Sequence, residues 1–184
     1  MTFRNEKNPL NAVQIAEVIK KFCYEVPTQA ISFTGGEPLL HWQFIRDVAG
    51  AVKSFGVKTF LETNGTLPAE LEKISDAIDI ISMDIKLEQN LLDVHEKFLR
   101  AAYGKDLYVK IVVTGKTTQE EFLSAVEVIA NVDDNILLIL QPVTPVGEVK
   151  AVSAEKILSF QAAALRKLKN VRVIPQTHKL INVL

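Results

Sequence analysis

"ISFTGGEPLL", residues 31–40, decides how the chain is read. An apolar run that suits a buried strand ends at Thr34. Two glycines follow, then a carboxylate, then Pro38 and a helical pattern. Adjacent glycines strip side chains from a place where something must approach the backbone, and they permit angles other residues avoid. Glu37 puts a negative charge at that bare edge. A phosphate-binding loop would instead offer amides and a lysine, so the expected visitor carries a positive group.

Outward from this stretch, strand and helix patterns alternate. Helical spacing covers 11–24, 41–55, 68–75, 91–102, 117–132 and 153–169, with Thr117, Thr118 and Ser153 as candidate caps. Strand-like runs cover 29–34, 57–63, 78–84, 107–113, 136–141 and 171–175. Strand starts recur at roughly 20- to 35-residue intervals, the length of one strand-plus-helix unit. Residues 1–184 therefore read as one α/β domain with a parallel sheet. Pattern alone leaves open a doubly wound sheet or a barrel, complete or partial.

Polar residues collect where each strand ends. They are Thr34 with Glu37, Glu62 with Asn64, Asp84 with Lys86, Thr114, Gln141, and Gln176 with His178. In parallel α/β folds the carboxyl ends of the strands carry the site. Turn chemistry also collects such residues and accounts for part of the pattern.

Composition excludes several classes. The 184 residues are 48% hydrophobic and 23% charged with net charge −1, so there is no basic surplus for nucleic acid. Apolar runs such as 135–140 are too short to span a bilayer, and the polar start has no signal-peptide core; a cytoplasmic location is expected. The chain shows neither a GxxxxGK[ST] loop nor a complete dinucleotide fingerprint. His41, His95 and His178 fall in separate units without ligand spacing and read as surface or structural. The single cysteine, Cys23, reads as a buried, inert thiol in a helix, and Trp42 as helix packing.

"FTGGEPLL" after a strand resembles the glycine-glycine-glutamate-proline motif of the radical S-adenosylmethionine superfamily. "LETNGT" (61–66), "SMDIKL" (82–87), "LQPVTP" (140–145) and the tail "VRVIPQTHKLINVL" bring the resemblance to the 7-carboxy-7-deazaguanine synthase family, of queuosine and archaeosine biosynthesis. The similarity runs over nearly all of 10–184. It implies a partial (β/α) barrel of about six parallel strands. It also implies conversion of 6-carboxy-5,6,7,8-tetrahydropterin to 7-carboxy-7-deazaguanine with loss of ammonia.

The resemblance assigns roles where motifs match. Gly35, Gly36 and Glu37 would receive the methionine portion of S-adenosylmethionine. Asp84, Ile85 and Lys86 would contact the cofactor, with Lys86 toward its carboxylate. Gln141, Pro142, Val143 and Thr144 would lie near the adenosine. Glu62, Thr63 and Asn64 are weaker cofactor candidates. Thr34 would face the pterin; Gln176 and His178 would either line the substrate side or latch the C-terminus.

The same resemblance implies a [4Fe–4S] cluster on a CxxxCxxC loop after the first barrel strand, and Mg²⁺ held by a Thr or Ser just beyond it. One cysteine cannot supply three thiolates. The expectation is a chain that lacks the first strand, the cluster loop and the magnesium ligand, and is inactive as it stands. Two alternatives remain: a fragment of another radical activase or synthase, or a cluster-less binding protein. An edge left by a missing strand would invite homodimerisation or other self-association through 29–34.

Overall fold

The computed structural model describes residues 10–87, 91–145, 147 and 149–180. Six strands form one sheet: β1 (Ala30–Phe33), β2 (Lys58–Thr63), β3 (Ile80–Ile85), β4 (Asp106–Val113), β5 (Leu137–Pro142) and β6 (Val171–Val173). All neighbours are parallel and the spatial order is the sequence order. That order settles the alternative left open by periodicity. A doubly wound sheet reverses direction at a switch point and takes helices on both faces. Here every crossover steps to the next strand with no reversal, as in a barrel wall. Among the described residues β1 has β2 as its only strand neighbour.

Between the strands run α1 (Ala12–Glu25), which precedes β1, then α2 (Trp42–Val52), α3 (Pro68–Glu72), α4 (Leu92–Ala101), α5 (Gln119–Val132) and α6 (Ala154–Ala164), with α7 (Thr177–Leu180) after β6. The period-2 alternation of the strands sorts their side chains. Leu61, Met83, Ile111, Leu138 and their like are fully buried under the helices. Phe122 and Phe160 stack there with centroids 4.6 Å apart. Phe60, Glu62, Asp84, Tyr108 and Lys110 occupy the alternate positions on the concave face and are only partly buried. Trp42 packs against the core, as expected, with Lys73 Nζ 4.9 Å from its ring.

Local chemistry sets the element ends. Thr118 caps α5 in a reciprocal box with Glu121, and Asn11 does the same for α1 with Gln14. Ser153 caps α6 as its sequence indicates. Thr117, the other candidate cap, is buried instead, its hydroxyl accepting from the Thr114 N–H at 3.0 Å. The helix expected over 41–55 is an α-helix flanked by two 3-10 turns, because Pro38 opens the turn early and Gly56 closes it in the left-handed region. The helix expected over 153–169 stops at Ala164, and the strand expected over 171–175 pairs only through Val173.

Cys23 departs from its expected burial and is half-buried. The reason is the position of α1 beside the edge strand, where Ala16 is its one buried residue and Val13, Val18, Phe22 and Tyr24 are exposed. No helix among the described residues is long and apolar enough to cross a membrane.

Asp79 joins the start of β3 to β2. Its carboxylate accepts from the Thr59 N–H at 2.8 Å and the Thr59 hydroxyl at 2.9 Å, and these bonds hold its pKa below the usual aspartate value. A carboxyl depressed in the folded state contributes stability above its unfolded pKa, and that contribution is lost as pH falls through the folded value. Asp79→Asn should therefore lower the urea midpoint at neutral pH. The gap from wild type should shrink progressively below pH ~4, measured by urea titration at several pH values.

Candidate functional site

The Gly35-Gly36 turn follows β1 with φ of +93° and +57°. A Cβ at either glycine would meet nothing within 4 Å, so the loop presents a bare backbone edge to open space. Beneath that edge lies an open cleft of about 140 Å³ at the carboxyl ends of β1 to β4. Thr34, Gly36 and Asn64 form its rim, with Asp84 and Lys86 beside them; Glu62, Ser82 and Lys110 form the floor.

Glu37 holds the turn in place. Its Oε1 accepts from the Leu39 N–H at 3.1 Å and the Thr63 hydroxyl at 2.8 Å, and its Oε2 accepts from the Asn64 N–H at 2.8 Å. Thr63 Oγ1 in turn accepts from the Gly65 N–H at 3.1 Å. The carboxylate thus ties the loop after β1 to the loop after β2. Gly65 completes the second loop: its φ is +68°, and a Cβ there would lie 2.3 Å from Met83 Cε. "TNG" is therefore a structural element and not merely a turn-rich string.

Charges within the cleft are paired across it. Lys86 Nζ donates to Asp84 Oδ2, and Lys110 Nζ lies 4.0 Å from Glu62 Oε2. Two side-chain atoms remain without a partner though buried: Ser82 Oγ and Asp84 Oδ1. Ser82 is only 1% exposed, so its orphaned hydroxyl on the cleft floor asks for a ligand atom or a water. A zwitterion suits such a place, since its ammonium and carboxylate can exchange into existing acid–base pairs.

Of the residues named from sequence, Thr34, Gly36, Asn64, Asp84 and Lys86 line this cleft, as do Glu62 and Thr63. Gly35 is exposed beside it, and Ile85 is buried on the helix face. Gln141, Pro142, Val143 and Thr144 lie farther round, where β5 ends. The Thr144 N–H donates to Gln176 Oε1 at 3.3 Å, joining that segment to the one after β6. The His178 side chain lies outside the described residues. Ser82 opens the "SMDIKL" segment but drew no role from it, and no motif covered Lys110. Period-2 alternation in "SMDI" and "LYVKIVV" puts them on the same face as Asp84, and that signal was available.

The radical SAM superfamily model matches residues 2–140. The chain is 36% identical to a 7-carboxy-7-deazaguanine synthase of Geobacter sulfurreducens over 96% of this chain and 73% of that one. This chain belongs to the radical SAM superfamily and, within it, to the 7-carboxy-7-deazaguanine synthase family. A synthase of the same name from Methanocaldococcus jannaschii is 33% identical, over 84% of this chain and 68% of that one. Among solved structures, a radical SAM methyltransferase from Sphaerobacter thermophilus superposes with a TM-score of 0.68 at 11% identity, covering 92% of this chain and 59% of the other. That likeness concerns the fold, an open (β/α) barrel wall.

The superfamily implies S-adenosylmethionine and a [4Fe–4S] cluster. The open glycine edge, the orphaned Ser82 and Asp84 oxygens and the paired charges fit the amino-acid end of the cofactor. The cluster does not fit this chain: the sequence holds one cysteine, and no group of three metal-binding side chains occurs among the described residues.

Replacing Glu37 tests the tie between the loops. In Glu37→Gln either amide orientation turns an N–H toward a backbone N–H, of Leu39 or of Asn64. The variant should lose roughly 1–3 kcal/mol of stability in urea unfolding. Protease cleavage near 35–37 should also accelerate.

Proposed function

We propose that the cleft takes the methionine end of S-adenosylmethionine, and that the chain forms the cofactor- and substrate-facing wall of a 7-carboxy-7-deazaguanine synthase. The observation that carries this reading is the bare Gly35-Gly36 edge standing beside the Asp84–Lys86 pair. Backbone carbonyls and the carboxylates of the cleft attract an ammonium. Lys86 is placed to leave Asp84 for a ligand carboxylate, exchanging one charge-assisted bond for another. Gln141 to Thr144 would border the adenosine. Thr34, on the cleft rim, would meet a pterin, with Gln176 and His178 approaching from the last strand. The chemistry that the cofactor supplies in this family is hydrogen-atom abstraction from the substrate.

The residues of this chain bind and orient; they do not generate the radical. Thiolates for the cluster would come from outside these 184 residues, and so would the family's magnesium ligand. Desolvation strengthens the paired charges once a ligand covers the cleft. It also keeps water from the reacting atoms.

Without a chelating iron the cofactor should bind weakly. A few charge-assisted bonds contribute roughly 1.5–3 kcal/mol each, less the ordering costs of the ligand. Calorimetry should give a dissociation constant in the high micromolar range at best, weakened further by Lys86→Ala. Nanomolar affinity, or indifference to Lys86→Ala, would sink the assignment. The chain alone should retain no stable cluster after anaerobic iron–sulfide treatment. Preceding it with a strand-and-loop segment carrying CxxxCxxC, taken from the Geobacter relative, should allow cluster loading. With reductant and magnesium, conversion of 6-carboxytetrahydropterin should then follow by chromatography. Cofactor cleavage that leaves the pterin untouched would contradict the substrate.

A further inference from the structure

The methionine end of a cofactor needs an acceptor for its ammonium and a donor for its carboxylate, and Asp84 and Lys86 supply them at the rim. Glu62, Ser82 and Lys110 on the floor are left without an assignment. Glu62 and Lys110 form a loose pair, 4.0 Å apart, too far for a hydrogen bond. Parallel pairing sets Glu62 beside Ser82 and Lys110 beside Asp84, with β3 lying between β2 and β4. The Lys110 side chain therefore crosses β3 to approach Glu62. Ser82, on that strand, is 1% exposed, and its hydroxyl has no partner in the protein. The floor thus offers a two-oxygen acceptor, a cation and an unbonded hydroxyl side by side. Two residues earlier on the outer two of these strands, Phe60 and Tyr108 face the hollow half-buried, with ring centroids 6.2 Å apart.

We infer that this floor recognises the 2-amino-4-oxopyrimidine edge of the substrate, an assignment that rests on reading the chain as a wall of a 7-carboxy-7-deazaguanine synthase. That edge presents, in order, an amino N–H, a ring N–H and a carbonyl oxygen. The Glu62 carboxylate can accept both N–H groups in a bidentate bond, as it would those of a guanidinium. The carbonyl has two lone pairs, one for the Lys110 ammonium and one for the Ser82 hydroxyl. The looseness of the Glu62–Lys110 pair then has a use, because neither charge must leave a hydrogen bond when the ligand arrives. Phe60 and Tyr108 offer an aromatic surface to the planar ring. The pterin acid and 7-carboxy-7-deazaguanine share this pyrimidinone half, so the floor holds the part of the molecule that the reaction leaves intact. The part that is rebuilt points away from the floor.

The chain is titrated with 6-carboxypterin, the oxidised and fluorescent analogue of the substrate, and with 6-carboxylumazine. It should bind the pterin about tenfold more tightly, a gap of ~1.4 kcal/mol. Lumazine carries a carbonyl in place of the amino group and so sets an acceptor against Glu62. In Glu62→Gln the amide donates an N–H and keeps one oxygen, which matches lumazine and mismatches pterin. The preference should then vanish or reverse. Lys110→Ala and Ser82→Ala should weaken both ligands alike, because both keep the carbonyl. 7-Carboxy-7-deazaguanine should displace 6-carboxypterin from wild type. A merely structural Glu62 would instead lower both affinities in Glu62→Gln without changing their ratio. That outcome overturns the proposal, as does equal binding of the two ligands by wild type, or binding of neither. Calorimetry with S-adenosylmethionine on the same proteins keeps the two readings apart. Cofactor binding without a pterin preference sinks the floor assignment and spares the rim. A pterin preference that Glu62→Gln abolishes, in a chain that ignores S-adenosylmethionine, sinks the rim assignment and keeps the floor.

Discussion

Each crossover in this chain returns to the strand beside the one it left, and the rest of the structure depends on that constraint. With no reversal in strand order, the helices gather on one side of the sheet. One set of alternating side chains is then sealed under helices and must be apolar, as Leu61, Met83, Ile111 and Leu138 are. The other set faces the hollow of an incomplete barrel. Charged residues such as Glu62, Asp84 and Lys110 can stand there because water or a ligand still reaches them.

Within that frame the site is organised by loops that lean on one another. Glu37 spans from the turn after β1 to the turn after β2 and accepts three protein hydrogen bonds. Its carboxylate reads at first as a lone charge awaiting a cation. In the folded chain it is largely committed to holding two turns in register, which leaves the carbonyl edge and Asp84 as the freer acceptors. Glycine takes the left-handed angles at 35 and 36 without strain, and Glu37 and Pro38 fix the residues that follow.

Asp84 pairs with Lys86 and Glu62 stands near Lys110, so these four charges of the cleft balance one another. Such pairs gain little while they are solvated. Under the proposed reading they serve in exchange, since a zwitterionic ligand can replace each partner without stranding a charge. The oxygens of Ser82 and Asp84 that lack protein partners lie in the same cleft.

Much of this was legible before any coordinates. Hydrophobic periodicity is a local property, so strands and helices could be placed to within a few residues, and the polar strand ends pointed to the rim where the cleft lies. "FTGGEP", "LETNGT" and "SMDIK" were sufficient for the family because loop chemistry is written in contiguous residues. What folding alone decided was which distant residues meet. Alternation within "SMDI" and "LYVKIVV" gives the faces of Ser82 and Lys110, but only the parallel register that sets Glu62 beside Ser82 and Asp84 beside Lys110 brings them into one cleft. Cys23 looked buried until α1 proved to lie beside an edge strand with little to cover it. Burial and pairing depend on neighbours supplied by other segments, and the local pattern carries no record of them.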